Sequence, residues 1–102
     1  MDIISTAFIA VLNADVSKSV KDTYNVLKGA LQRKFGKASY IVGAVKMLEN
    51  KPDSISRQAT LKEEVRMTRA QKDSQLNQLA EALLRKLQAT PEGQTTKKRT
   101  IK

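Results

Sequence analysis

The side chains that most often run enzyme chemistry are scarce in this sequence. Histidine and cysteine are both absent. That removes the usual general base near neutral pH, the imidazole and thiolate metal ligands, and any thiol nucleophile. Catalysis would fall to carboxylates, lysines or hydroxyls, and their spacing builds no site. Glu63 and Glu64 are adjacent, so on a helix they diverge and cannot act as an acid and base pair. Glu81 and Arg85 stand at the spacing of an ordinary helix-surface pair, worth about 0.2–0.5 kcal/mol. The four glycines are isolated, so no phosphate-cradling loop is present. The residues point to a protein that is not an enzyme and takes no metal or cofactor.

Charge is the next constraint. The chain of 102 residues carries 19 Lys and Arg against 10 Asp and Glu, a net charge of +9. A field of that sign favours anionic partners: nucleic acid, an acidic membrane leaflet or an acidic protein. Lys18, Lys21, Lys28, Arg33, Lys34 and Lys37 stand against Asp22 alone, and Lys97, Lys98, Arg99 and Lys102 crowd the end of the chain. Phosphate contacts need only such charges. Base recognition also needs stacking aromatics, of which there are Phe8, Tyr24, Phe35 and Tyr40, and no helix-turn-helix pattern is evident. Nucleic acid is therefore the weaker candidate. The absence of cysteine also rules out a disulfide framework and fits a reducing compartment.

Five helical segments position these residues, and no strand is read. The first, near residues 2–13, carries Ile3, Ile4, Ala7, Phe8, Ile9, Val11 and Leu12. These wrap most of the way round a helical wheel, the mark of a buried or membrane-seeking helix. No charge falls in residues 3–14. Asp2 is the one early charge, so the positive n-region of a secretory signal is missing. Twelve helical residues cover roughly 18 Å, short of the ~30 Å hydrocarbon core. The segment is read as neither signal peptide nor membrane span.

The second segment, near residues 15–35, places Val16, Val20, Tyr24, Leu27, Leu31 and Phe35 on one stripe. Asn13 or Asp15 is expected to cap it, and Gly36 follows where a left-handed residue is wanted. The break before it holds no glycine or proline, so the first two segments could also run on as one kinked helix. A third helix, near residues 38–50, buries Ile41, Val42, Val45 and Leu48, with Gly43 available for a close helix approach. Pro52 stops it, and Asp53 or Ser54 caps the fourth, near residues 55–69, whose inward residues are expected to be Ile55, Leu61, Val65 and Met67. Asp73 caps a fifth, near residues 74–89, with Leu76, Leu79, Ala80, Leu83, Leu84 and Leu87 on one face. Short connections make neighbours antiparallel. The expectation is an all-α up-and-down bundle of four to five helices over residues 1–90, then a disordered basic tail over 91–102.

Read from its residues alone, the first helix is open to two roles. It can serve as the core of the bundle, or it can leave the bundle for a bilayer, with the basic second helix favouring anionic lipid.

The order of residues resembles a known family. The apolar start is followed by Val20-Lys21-Asp22-Thr23-Tyr24-Asn25-Val26-Leu27-Lys28 and Leu31-Gln32-Arg33-Lys34-Phe35. Then come Leu48-Glu49-Asn50-Lys51-Pro52-Asp53-Ser54, Leu61-Lys62-Glu63-Glu64-Val65 and Leu79-Ala80-Glu81-Ala82-Leu83-Leu84. Over roughly residues 2–88 this pattern resembles the bacterial Bell domains. These are relatives of the fungal HeLo domains and of the four-helix bundle of the necroptosis pseudokinase.

The resemblance implies a pore-forming cell-death effector of bacterial immune defence, working with NLR-type receptors through amyloid signalling. It implies a cytoplasmic resting state, self-association on activation by an upstream amyloid-motif receptor, and relocation to the inner (plasma) membrane. Ile3, Ile4, Phe8, Ile9, Val11 and Leu12 then become the membrane-inserting residues. By charge, Lys18, Lys21, Lys28, Arg33 and Lys34 are the candidates for contact with anionic headgroups. The sequence departs from the pattern at 91–102, which is too short and too charged for an amyloid motif. The alternative reading is an adaptor module that binds protein or nucleic acid through its basic face.

The two readings separate by mutation. Phe8→Asp abolishes membrane damage in a folded effector, whereas glutamate at Lys18, Lys21 and Lys28 abolishes partner capture by an adaptor. Vesicle leakage and pull-down, run on both variants, distinguish them.

Overall fold

Each helix starts where a short polar side chain meets the first unpaired amides. The computed structural model describes residues 2–89: α1 (Ile3–Leu12), α2 (Lys18–Phe35), α3 (Tyr40–Asn50), α4 (Ile55–Thr68), a 3-10 turn (Ala70–Lys72) and α5 (Ser74–Ala89). Asp2 accepts from the Ser5 amide at 2.5 Å, Ser54 from Arg57 at 3.2 Å and Asp73 from Leu76 at 3.0 Å. These bonds satisfy donors that a helix start otherwise leaves orphaned. The tail expected over 91–102 lies outside the described residues.

α1 and α2 are separate helices. Ser17, and neither Asn13 nor Asp15, caps α2, accepting from the Val20 amide at 3.3 Å. Asn13 closes α1 instead, its Nδ2 donating to the Ile9 carbonyl and to the Pro52 carbonyl, both at 2.9 Å. The Pro52 carbonyl also accepts from Gln58 Nε2 at 2.9 Å. The Lys-Pro-Asp-Ser turn thus fastens the end of α1 to the start of α4. Gly36 ends α2 with φ 96°, a backbone angle that favours glycine.

The helices form an all-α bundle built from two pairs. α2 packs chiefly on α5, and α3 chiefly on α4. α1 lies between the pairs and touches every other element. The pairs meet each other directly only where α2 touches α3; among the described residues α4 and α5 do not pack together, and the 3-10 turn links them. Ile4 and Phe8 of α1 join Leu27, Leu31, Ile41, Leu48, Leu61, Leu76 and Leu83 in one fully buried core. A helix apolar nearly all round is used here as a central strut.

Two expectations about the outer helices fail. Ile55 is 77% and Met67 69% exposed, on opposite flanks of α4, because that helix presents only the narrow stripe of Leu61 and Val65 to the core. Gly43 makes no close approach, since nothing lies within 4 Å of where its Cβ would be. Gly43→Ala is expected to raise the unfolding free energy by up to ~1 kcal/mol, while Leu61→Ala lowers it by about 2–5 kcal/mol. Urea denaturation of the two variants checks both signs.

Candidate membrane-contact site

The residues proposed to enter a membrane divide by burial. Ile4 and Phe8 are fully enclosed and Val11 nearly so, whereas Ile3, Ile9 and Leu12 are partly buried at the margin of the core. Thr6 and Ala10 share the partly open side of α1 with them. Ser5 is also fully buried, its hydroxyl donating to Asp2 Oδ2 at 2.6 Å. Withdrawing Ile4, Phe8 and Val11 into water would cost roughly 5–9 kcal/mol at ~1.5–3 kcal/mol each. That is comparable to the whole stability of a small domain, ~5–15 kcal/mol. In water α1 therefore leaves only in rare openings, and it stays out only if another apolar phase receives it.

One polar cluster ties α1, α2 and α3 together. The Phe8 ring meets the Tyr24 ring edge-on, with centroids 5.4 Å apart and planes at 85°, a favourable geometry for two aromatic quadrupoles. The Tyr24 hydroxyl donates to Glu49 Oε2 on α3. Lys28 Nζ donates to both Glu49 oxygens, at 3.0 and 2.8 Å. Burial first, then the bond to Glu49 and its negative charge, push the Tyr24 phenol well above its ordinary pKa. Neither Tyr24 nor Glu49 stands out as functional in the sequence. The available signal is that Glu49 is the lone acid in a mostly apolar α3, where it needs a buried-side partner.

The five basic candidates do not form one free face. Lys28 is held by Glu49, and Lys34 of α2 pairs with Asp73 at 3.1 Å, fastening α2 to the start of α5. The Leu76 amide first, then Lys34, lower the pKa of Asp73. Lys18 lies 3.8 Å from Asp22, but the pair is so exposed that it stabilises little. Lys21 and Arg33 are exposed and have no acidic partner among the described residues. Headgroup contact thus costs nothing structural at Lys21, Arg33 and, nearly, Lys18. At Lys28 and Lys34 it competes with bonds between helices.

On the side of the bundle where α4 and α5 stand apart, an open groove of about 760 Å³ exposes the start of α1. Lys62 and Arg66 form one wall, Asn77 and Glu81 the other, and Asp2, Ile3 and Gln71 complete it. No helix among the described residues is long and apolar enough to cross a membrane.

The model of a family described as the Het-E N-terminal domain matches residues 1–102. No curated protein and no solved structure matches the chain.

The Tyr24 environment has an alkaline signature. Its folded pKa is raised, so its contribution to stability is complete below the unfolded value near 10.0 and is lost as pH climbs beyond it. Between about pH 9.5 and 11 the urea midpoint of the wild type should fall more steeply than that of Tyr24→Phe. Parallel slopes would show that the phenol is not enclosed in solution.

Proposed function

We infer the role of the chain from one premise: it belongs to the Het-E N-terminal domain family, associated with heterokaryon-incompatibility and cell-death proteins. We propose that it is a membrane-targeting, pore-forming cell-death effector domain with a Bell-like, HeLo-related mode of action. In the resting state the bundle encloses α1. Clustering of several copies by an upstream amyloid-motif receptor frees that helix, which then enters an anionic membrane. The proposed resting place is the cytoplasm, and the proposed target is the inner (plasma) membrane.

The observation that carries the reading is the placement of α1. It is uncharged from Ile3 to Leu12, and it lies between two helix pairs that barely meet without it. Its length sets the mode of entry. The 10 residues of α1 cover about 15 Å, half of the ~30 Å hydrocarbon core. α1 alone therefore lies in the interface. Continuing the helix through 13–17 to Val20 gives about 27 Å, and that stretch holds no glycine or proline to oppose it. On that longer helix Asp15 and Lys18 lie about 18 and 22 Å along from Ile3, inside the core where charge is costly, so the interfacial placement of α1 is the favoured one.

The burial of Phe8 alters the choice of variant. An aspartate there would break the core before it tested a membrane. Ala10 lies on the partly open side of α1, so Ala10→Asp charges the helix and leaves the core intact. The test is dye release from liposomes of matched size, anionic against neutral, with the domain added alone and after artificial clustering. Leakage is expected to need anionic lipid and to fall by about tenfold in Ala10→Asp, since an aspartate on this otherwise uncharged helix opposes its burial at the acyl boundary and is repelled by anionic lipid. Silence from a clustered, folded domain would sink the reading and favour a partner-binding module.

A further inference from the structure

We propose that α1 leaves the bundle through the gap between α4 and α5, and that the α2–α3 seam is the side that stays shut. The proposal deepens the effector reading and rests on it for its biological meaning. The two sides of the bundle are built differently. On one, α2 and α3 touch directly, and Glu49 binds both Tyr24 and Lys28 across the seam. On the other, α4 and α5 do not pack together among the described residues.

What fills the second side is α1 itself. Ile3 lines the groove between α4 and α5, alongside Lys62 and Arg66 of one wall and Asn77 and Glu81 of the other. Both walls are lined by polar or charged side chains that water solvates as readily when they part. Among the described residues α4 and α5 make no close backbone approach, so moving them apart disrupts less direct packing than parting α2 from α3. Parting α2 from α3 breaks the Glu49 bonds to Tyr24 and Lys28 together with the direct packing of the two helices. The opening of least cost is on the groove side.

The two ends of α1 also differ in attachment. At its start Asp2 caps the helix to which it belongs, through Ser5, and so travels with it. At its end Asn13 is bonded to the Pro52 carbonyl ahead of α4. The groove end is accordingly the free end, and release begins there.

The cysteine-free chain makes the test direct. Lys62→Cys with Glu81→Cys, joined by a short bis-maleimide, bridges the groove. Asn25→Cys with Asn50→Cys, both exposed residues on α2 and α3, carries the same linker on the opposite side as a control. Hydrogen exchange of the α1 amides in solution reads the opening without any membrane. The groove clip is expected to slow that exchange by about tenfold or more, and the control clip to change it by less than about twofold. Leakage from anionic vesicles should fall with the groove clip alone.

Equal slowing by both clips, or by the control clip alone, overturns the proposal. So does a groove-clipped protein that exchanges and leaks like the unclipped one. If the unclipped double-cysteine protein does not leak, the effector reading fails, while the exchange data still decide the direction of opening.

Discussion

Everything in this bundle depends on one helix being surrounded. α2 leans on α5, α3 leans on α4, and the two pairs become a single core because Ile4, Ala7, Phe8 and Val11 stand between them. An uncharged helix is what such a place demands, since an ionised side chain there would need a partner that the apolar walls do not supply. The same composition suits a bilayer. The property that makes α1 the core of the fold is the property that the proposed function asks of it outside that core.

Electrostatics works on two levels here. The net charge of +9 draws the whole domain toward anionic surfaces. Individual cations do other things. Lys28 and Lys34 hold α2 to α3 and to α5 through Glu49 and Asp73, and a headgroup that claims either one loosens a joint between helices. Lys21 and Arg33 are exposed and engage no acid among the described residues, so they add attraction without that structural consequence. A basic face seen in a sequence is therefore a mixture of joints and contacts, which only the partners tell apart.

The helices, their order and most of the core were legible in the sequence because the signals were local. Examples are the i, i+4, i+7 stripe of α2, the Pro52 stop and the Asp73 cap. The failures came where the deciding neighbour is distant in the chain. Asn13 looked like a cap for α2, but Pro52 gives it a different task. Ile55 and Met67 looked inward by residue type, yet α4 turns them to solvent, because only one narrow side of it meets α1 and α3. The candidate site was legible only as a composition. That α1 is special follows from its composition. That it sits between two pairs, beside a seam tied by Glu49 and a gap on the far side, depends on packing that no window of sequence contains.

The pairing of α1 with α5 bears on when the apolar helix becomes covered. The first helix finds one of its main partners in the last helix described, as does α2. Contacts so far apart in sequence form late, because a long loop must close before they repay its entropy. During synthesis α1 emerges before α5 and waits for it with Ile3, Ile4, Phe8 and Ile9 uncovered. Each new molecule passes through a brief interval in which its most apolar segment has no protein shelter. Under the proposed function, the nearness of a bilayer during that interval bears on the fate of the molecule before its fold is complete.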